Sequence, residues 1–236
     1  VRVGGTVRKP VTASTPGVEA LLRHLDEVGY EAAPKALGRD ERGRQVLEYV
    51  PGTVADALPP LDVPGLRRVG RLIRELHDAT ASFVPPADAA WNVAIPPDTT
   101  DLICHRDLAP WNLVLADDGR WVFIDWDGAG PGSRLWDLAY AAHGFVPLGA
   151  GGDPAVDAPR LRALADGYRL DERQRRALPE LIVGHTRGMY DLLRRGSETG
   201  EQPWARLHAE GHGDHWGPAA DYVEANLEVW RRALLG

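Results

Sequence analysis

The sequence predicts an α+β chain of two unequal lobes. Strand and turn signals crowd the first fifty or so residues, apolar residues at helical spacing dominate the remainder, and one strand hairpin is embedded in that helical part. The division falls near Gly52, giving an N-lobe over 1–52 and a C-lobe over 53–236.

Val1 to Pro10 reads as a β-hairpin. Gly4-Gly5 supplies the two-residue turn, which sets Val3 opposite Thr6 and Val1 opposite Arg8. Thr15-Pro16 starts a helix, with Thr15 as cap and Pro16 in the first turn. Val18, Leu21, Leu22, Leu25 and Val28 follow at helical spacing, and Gly29 ends the run. Gln45 to Tyr49 is a short strand closed by Pro51-Gly52. Leu66, Val69, Leu72, Ile73 and Leu76 mark an amphipathic helix ending near His77. Pro85 to Pro96 is a connection rich in proline and alanine. Leu102–Cys104 and Asn112–Leu115 are short apolar pieces that flank a polar loop, and Asp118-Gly119 turns the chain into a strand over Trp121–Ile124. A loop follows over Gly128–Gly132, then a helix from Leu135, a break at Gly149–Pro154, and helices over 159–168, 172–195 and 219–235.

Composition narrows the function classes. The 236 residues are 44% hydrophobic, enough for a sizeable core in a globular chain. No apolar run reaches membrane-spanning length, and Val1–Pro10 lacks the pattern of a secretory leader, so neither membrane nor export is expected. The single cysteine, Cys104, excludes an internal disulfide and suits the cytoplasm. The net charge of −7, with no basic face, argues against a nucleic-acid partner. Oligomeric state leaves no mark in the sequence.

The chemistry concentrates in two segments. His105-Arg106-Asp107-Leu108-Ala109-Pro110-Trp111-Asn112 is the first, and Phe123-Ile124-Asp125-Trp126-Asp127-Gly128 the second. Asp107 follows an apolar strand and precedes Pro110, which places it on a loop. Asn112 opens the next strand and Asp125 ends the one after. Ends of strands in one hairpin lie close together, so these three oxygen-bearing side chains can converge. Phosphoryl transfer needs such a group: hard oxygen ligands for magnesium, and a separate carboxylate to orient the attacking hydroxyl and take its proton. The first segment matches the kinase catalytic loop H-R-D-x-x-x-x-N in full. The second reads Asp-Trp-Asp-Gly where kinases carry Asp-Phe-Gly.

With these residues, the sequence resembles the aminoglycoside phosphotransferases and their relatives, small-molecule kinases of the protein-kinase-like fold. Ile103–Leu115, Val122–Gly130 and Ser133–Tyr140 carry the resemblance. It implies ATP as co-substrate, Mg2+ as cofactor, Asp107 as the catalytic carboxylate, and Asn112 and Asp125 as metal ligands. His105 and Asp137 would brace the catalytic loop. Leu47, Glu48 and Val50 would form the hinge, with the Glu48 carbonyl and Val50 amide meeting the adenine. Glu19 would pair with the cation that holds the phosphates. Asp127 and Trp111 are further candidates for substrate or metal contact, Asp127 reading equally as a turn residue before Gly128. The acceptor first expected is an aminoglycoside or another amine-bearing small molecule.

Two departures from the family pattern stand out. The phosphate-binding lysine position falls on Arg8, with Lys9 one step later. The hairpin register puts Arg8 on the face of Val1 and Val3, and Arg8 is the residue expected in the cleft. The family's glycine-rich loop and first strand are not found, so the N-lobe is expected to be truncated or to start differently. Both departures favour the alternative of a pseudokinase, a nucleotide-binding module without turnover, while Asp107, Asn112 and Asp125 oppose it. A metal site on His208, His212 and His215 is a weaker reading, because Gly211 and Gly213 break the helical spacing it would need. Glu210, Asp214, Asp221 and Glu224 read as an acidic face that is either solvated or amine-binding.

Overall fold

The structure, a computed structural model, describes residues 1–236. Gly4-Gly5 joins β1 (Arg2–Val3) to β2 (Thr6–Lys9) with Val3 opposite Thr6. Together with β3 (Ala36–Arg39) and β4 (Gln45–Glu48) they form an antiparallel sheet in the order β1-β2-β4-β3. β3 had no signal in the sequence. Its Ala-Leu-Gly-Arg residues lack apolar alternation, because the strand is a mostly exposed edge with a register shift between Ala36 and Arg39. Helix α1 (Thr15–Glu27) buries Val18, Leu21, Leu22 and Leu25. Thr15 is its first residue rather than its cap, and its hydroxyl accepts the backbone N–H of Thr12 at 2.8 Å.

Pro51-Gly52 does not end a strand in a turn. Gly52 opens β5 (Gly52–Val54), which pairs with β7 (Leu113–Ala116), itself paired with β8 (Trp121–Phe123). A second small pairing joins β6 (Leu102–Cys104) to β9 (Gly130–Gly132). The Gly-Pro-Gly of β9 reads as loop in the sequence because a backbone ladder alone makes it a strand. A side chain on Gly132 would press on Cys104 Sγ at 3.1 Å. These two pairings fix both ends of the 105–112 loop and of the 124–129 loop, and so set the site.

The helices are α2 (Val63–Thr80), α3 (Arg134–Phe145), α4 (Pro154–Tyr168), α5 (Glu172–Thr199), α6 (Trp204–Ala209), α7 (His212–Ala225) and α8 (Leu227–Leu235). Side-chain caps start several of them. Asp62 accepts from Gly65 N at 2.8 Å and Ser133 from Trp136 N at 3.0 Å, while Asp171 and Gln174 form a capping box on α5. The helix expected over 219–235 is two helices that part at Asn226. α2 and α4 cross at glycines. A Cβ on Gly70 would overlap the Leu164 carbonyl oxygen, and one on Gly167 the Arg67 carbonyl oxygen. One core of 37 buried residues runs from Leu21 and Leu25 in α1 through Ile73, Phe123 and Leu164 to Trp230 in α8. The two parts of the chain therefore share one apolar interior. No helix is long and apolar enough to cross a membrane.

Candidate active site

The 105–112 loop is held from behind. Asp137, in the first turn of α3 and buried, accepts the backbone N–H of Arg106 at 2.8 Å and that of His105 at 3.2 Å. It also meets Nε2 of buried His77 at 3.1 Å, and Nδ1 of that ring meets the Tyr168 hydroxyl at 2.8 Å. Burial works against the Asp137 charge, but the bonds from His77 and the loop amides hold its carboxyl below the usual range. His105 is buried, accepts the Asp107 N–H on Nδ1 at 3.2 Å, and so donates from Nε2 to the Ile124 carbonyl at 3.1 Å. Burial lowers its pKa and keeps it neutral. His105 thereby ties the loop before Asp107 to the strand end before Asp125.

Two non-glycine residues in this region take left-handed backbone, Arg106 at φ 69° and Asp125 at φ 60°. That conformation costs about 1 kcal/mol or more and persists where surrounding contacts over-determine it. For Arg106 the contacts are visible. Its amide is on Asp137, and its guanidinium donates to the carbonyls of Pro131, at 2.8 Å, and Ile95.

Both oxygens of the Asp107 carboxylate are engaged. Oδ2 accepts from Asn112 Nδ2 at 2.8 Å, and Oδ1 accepts from the Tyr140 hydroxyl at 2.8 Å. Asn112 donates a second time to the Asp107 carbonyl at 3.0 Å, while its amide oxygen accepts no hydrogen bond within the chain. The Ile124 N–H donates to the Asn112 carbonyl at 2.8 Å, which sets Asn112 beside the residue preceding Asp125. The second loop returns to the first, since a Cβ on Gly128 would stand 3.9 Å from that of Asp107.

Lys9 reaches this loop from the N-terminal sheet. Its Nζ lies 2.7 Å from Asp125 Oδ1 and 2.6 Å from Asp127 Oδ2. Burial alone would lower its pKa, but these two bonds raise it, so Lys9 is charged. This corrects the assignment of Arg8 as the cleft cation. The hairpin register is as expected, but the face that carries Val1, Val3 and Arg8 is the one turned from the cleft. Val1 and Val3 are exposed there, and Arg8 lies 3.6 Å from Asp40. The sequence sets which residues share a face, while the packing of the sheet on the rest of the chain decides where that face looks. Glu19 is corrected with it: its carboxylate lies 3.5 Å from the Arg39 guanidinium and approaches neither Arg8 nor Lys9 as an ion pair.

At the proposed hinge, buried Leu47 and Val50 flank Glu48, whose side chain accepts from Lys35 N and from Arg120, each at 3.1 Å. The Val50 N–H donates to no acceptor within the chain. Asp107 also lines a cavity of about 800 Å³, walled by α3, α5, α6 and α7 together with Trp111 of the loop. Trp111 is 43% exposed at its edge. His212 and His215 line it, and His208 stands outside it against Gly213, so the three histidines do not converge.

The donor set suits a hard divalent cation. Asn112 has an amide oxygen without a partner and Asp125 a half-exposed carboxylate already attracting one cationic group. His77, Cys104 and Asp137 also bring ligand atoms within 4.8 Å of one another. Both ring nitrogens of His77 are engaged and Asp137 is held by backbone amides, so that cluster is a buried brace.

Tyr140, His77 and the guanidinium of Arg106 had no role in the sequence reading. A signal for Tyr140 existed: it stands three residues after Asp137, hence on the same face of α3. The cavity wall left no signal, because its residues meet only when α5, α6 and α7 pack together.

A sequence model described as the phosphotransferase enzyme family matches residues 86–178. The trifolitoxin immunity protein of Rhizobium leguminosarum bv. trifolii is 30% identical over 215 residues, 86% of this chain and 81% of that protein. An amicoumacin kinase solved in complex with AMP-PNP, Ca2+ and Ami superposes at TM-score 0.65 with 14% identity, over 92% of this chain and 78% of that one. A choline/ethanolamine kinase family protein from Mesorhizobium loti superposes at 0.59 with 14% identity, over 99% and 88%. At these identities the structures share the two-lobed kinase fold with this chain.

Proposed function

The chain belongs to the phosphotransferase enzyme family of small-molecule kinases, and from that premise we propose that it moves the γ-phosphoryl group of ATP to a hydroxyl of a small molecule, with Mg2+. One observation carries the proposal. Asp107 lines a cavity with its carboxylate fixed at both oxygens, and Gly128, next to the Lys9–Asp125–Asp127 cluster in the chain, approaches it.

In this reading Asp107 orients the acceptor hydroxyl and takes its proton as the oxygen attacks the γ-phosphorus. The bond to the β,γ-bridging oxygen breaks and ADP leaves. Lys9 exchanges its carboxylate partners for phosphate oxygens and so neutralises their charge. Asn112 and Asp125 are the residues that would hold magnesium, with Asp127 beside them; when bound, the ion neutralises charge on the phosphates. The Val50 amide and Glu48 carbonyl would receive the adenine, and Asp137 and His105 keep the loop in place. Catalysis is then positioning and charge neutralisation. The pairing of Lys9 with Asp125 and Asp127 supports a lysine as the phosphate-binding cation and so weakens the pseudokinase alternative. The acceptor expected from the family resemblance is an aminoglycoside or another amine-bearing compound. The relative named an immunity protein suggests that the product is an inactivated toxin or antibiotic.

The test is a thermal-shift titration with Mg-ATP, followed by mass spectrometry of an alcohol panel incubated with enzyme and Mg-ATP. Wild type should gain stability with nucleotide and yield a product heavier by one phosphate. Asp107→Ala should keep the nucleotide shift and lose the product. Full transfer by that variant removes Asp107 from the chemistry.

A further inference from the structure

The cavity that faces Asp107 narrows the acceptor, given the phosphotransferase reading above. Its wall is aromatic. Tyr140 stands at the centre, with Trp216 stacked at 6.3 Å, Trp111 edge-on at 6.4 Å and His185 at 4.8 Å between ring centroids. Leu207 and Met189 extend that surface. The wall also offers few charged partners. Apart from Asp107, its one carboxylate is Glu210, exposed and already bonded to Arg206 at 2.9 Å. Its one permanent cation is Arg106, spent on two backbone carbonyls. His185 is uncharged, its pKa pushed down to about 4 by burial, and burial lowers that of His215 as well. Of the acidic residues of α7, Asp221 and Glu224 both hold Arg187, and Asp214 is exposed outside the cavity.

Charge and volume then decide between acceptor classes. A polycation with several ammonium groups would meet one available carboxylate, Asp107, and would lose hydration at each other charge against tryptophan and leucine. An amino alcohol of a few heavy atoms would leave most of a cavity of about 800 Å³ unfilled, whereas sites of this size suit drug-sized ligands. A flat apolar body matches the wall in both respects, and a single ammonium can rest on an indole face. We infer that the acceptor is a drug-sized alcohol with an aromatic or apolar body and no more than one positive charge, bound on the Tyr140, Trp111 and Trp216 surface, rather than an aminoglycoside.

The test uses the full chain saturated with Mg-AMP-PNP, so that the nucleotide site is filled. The probe is N-phenyl-naphthylamine, a neutral dye that brightens in apolar sites, with naphthylethanol and kanamycin as competitors. The dye should bind. Leu207→Glu and Met189→Glu, both at half-buried positions, should each weaken it roughly tenfold. Naphthylethanol should displace it at a concentration at least about tenfold below that needed for kanamycin. Absence of dye binding, dye binding unchanged in both variants, or stronger competition by kanamycin overturns the inference. A Mg-ATP thermal shift on the same samples separates the two levels. Dye binding without nucleotide stabilisation fells the kinase reading alone. Nucleotide stabilisation with kanamycin preferred fells the acceptor class alone.

Discussion

Tyr140 donates its phenolic hydroxyl to Oδ1 of Asp107 at 2.8 Å. Asn112 holds the other oxygen, so the carboxylate has one orientation. Burial and the Asp107 charge push the Tyr140 pKa well above its usual value, so the hydroxyl keeps its proton and acts as a fixed donor. A hydrogen bond to a charged group is worth about 1.5–3 kcal/mol. Tyr140→Phe should therefore lower kcat by roughly ten- to a hundredfold while Mg-ATP binding stays unchanged. Steady-state kinetics beside a nucleotide titration checks this, and an unaltered kcat would show that Asn112 alone suffices.

Lys9, not Arg8, pairs with Asp125 and Asp127, and neighbouring substitutions distinguish the two. Lys9→Ala should weaken Mg-ATP binding by roughly tenfold or more, since it removes the ammonium placed at the Asp125–Asp127 pair. Arg8→Ala, on the opposite face beside Asp40, should leave that affinity within about threefold. Calorimetric titration with AMP-PNP decides. Equal losses in both variants would put the sheet in another orientation.

The proposed magnesium site on Asn112 and Asp125 predicts a metal requirement for nucleotide binding. Chelation with EDTA should abolish the thermal stabilisation by ATP. Asn112→Ala and Asp125→Ala should each raise the magnesium concentration at half-maximal stabilisation by roughly tenfold. Nucleotide stabilisation that is indifferent to EDTA would remove the assigned ligands.

Acid should destabilise the chain through two buried histidines. Burial pushes the pKa of His143 down to about 3 and of His185 down to about 4. Both stay neutral in the folded protein, while in the unfolded chain they take up protons below about 6.5. The unfolded state thus binds more protons as pH falls from about 6.5 toward 4, and stability falls with it. At pH 5 each contributes a loss of about 2 kcal/mol relative to pH 7.5. Urea midpoints at the two pH values measure it, and His143→Gln should shrink the difference. Equal midpoints at both pH values would contradict the neutral assignment.

The α2–α4 crossing depends on two hydrogens. Gly70→Ala and Gly167→Ala each place a methyl group on a backbone carbonyl of the facing helix. Backbone cannot rotate away as a side chain can, so each should cost about 3 kcal/mol, although alanine favours a helix. Thermal melts check this, and an unchanged or raised Tm would mean that the helices separate easily.

Local pattern determined much of this protein. The hairpin register at Gly4-Gly5, the apolar stripe of α1, and the loop carrying Asp107 ahead of Asn112 and Asp125 all follow from residues near in sequence. Turn chemistry, helical period and strand ends act over a few positions. Tertiary packing decided the rest. Arg8 and Lys9 are adjacent, and only the seating of the sheet chose Lys9 for the cleft. β5 and β9 are strands because distant backbone pairs with them, not because Gly-Thr-Val or Gly-Pro-Gly favours extension. The aromatic wall around Asp107 comes from separate helices whose residues carry no common spacing. Charge and shape in a cavity are sums over surfaces that meet only in the folded chain.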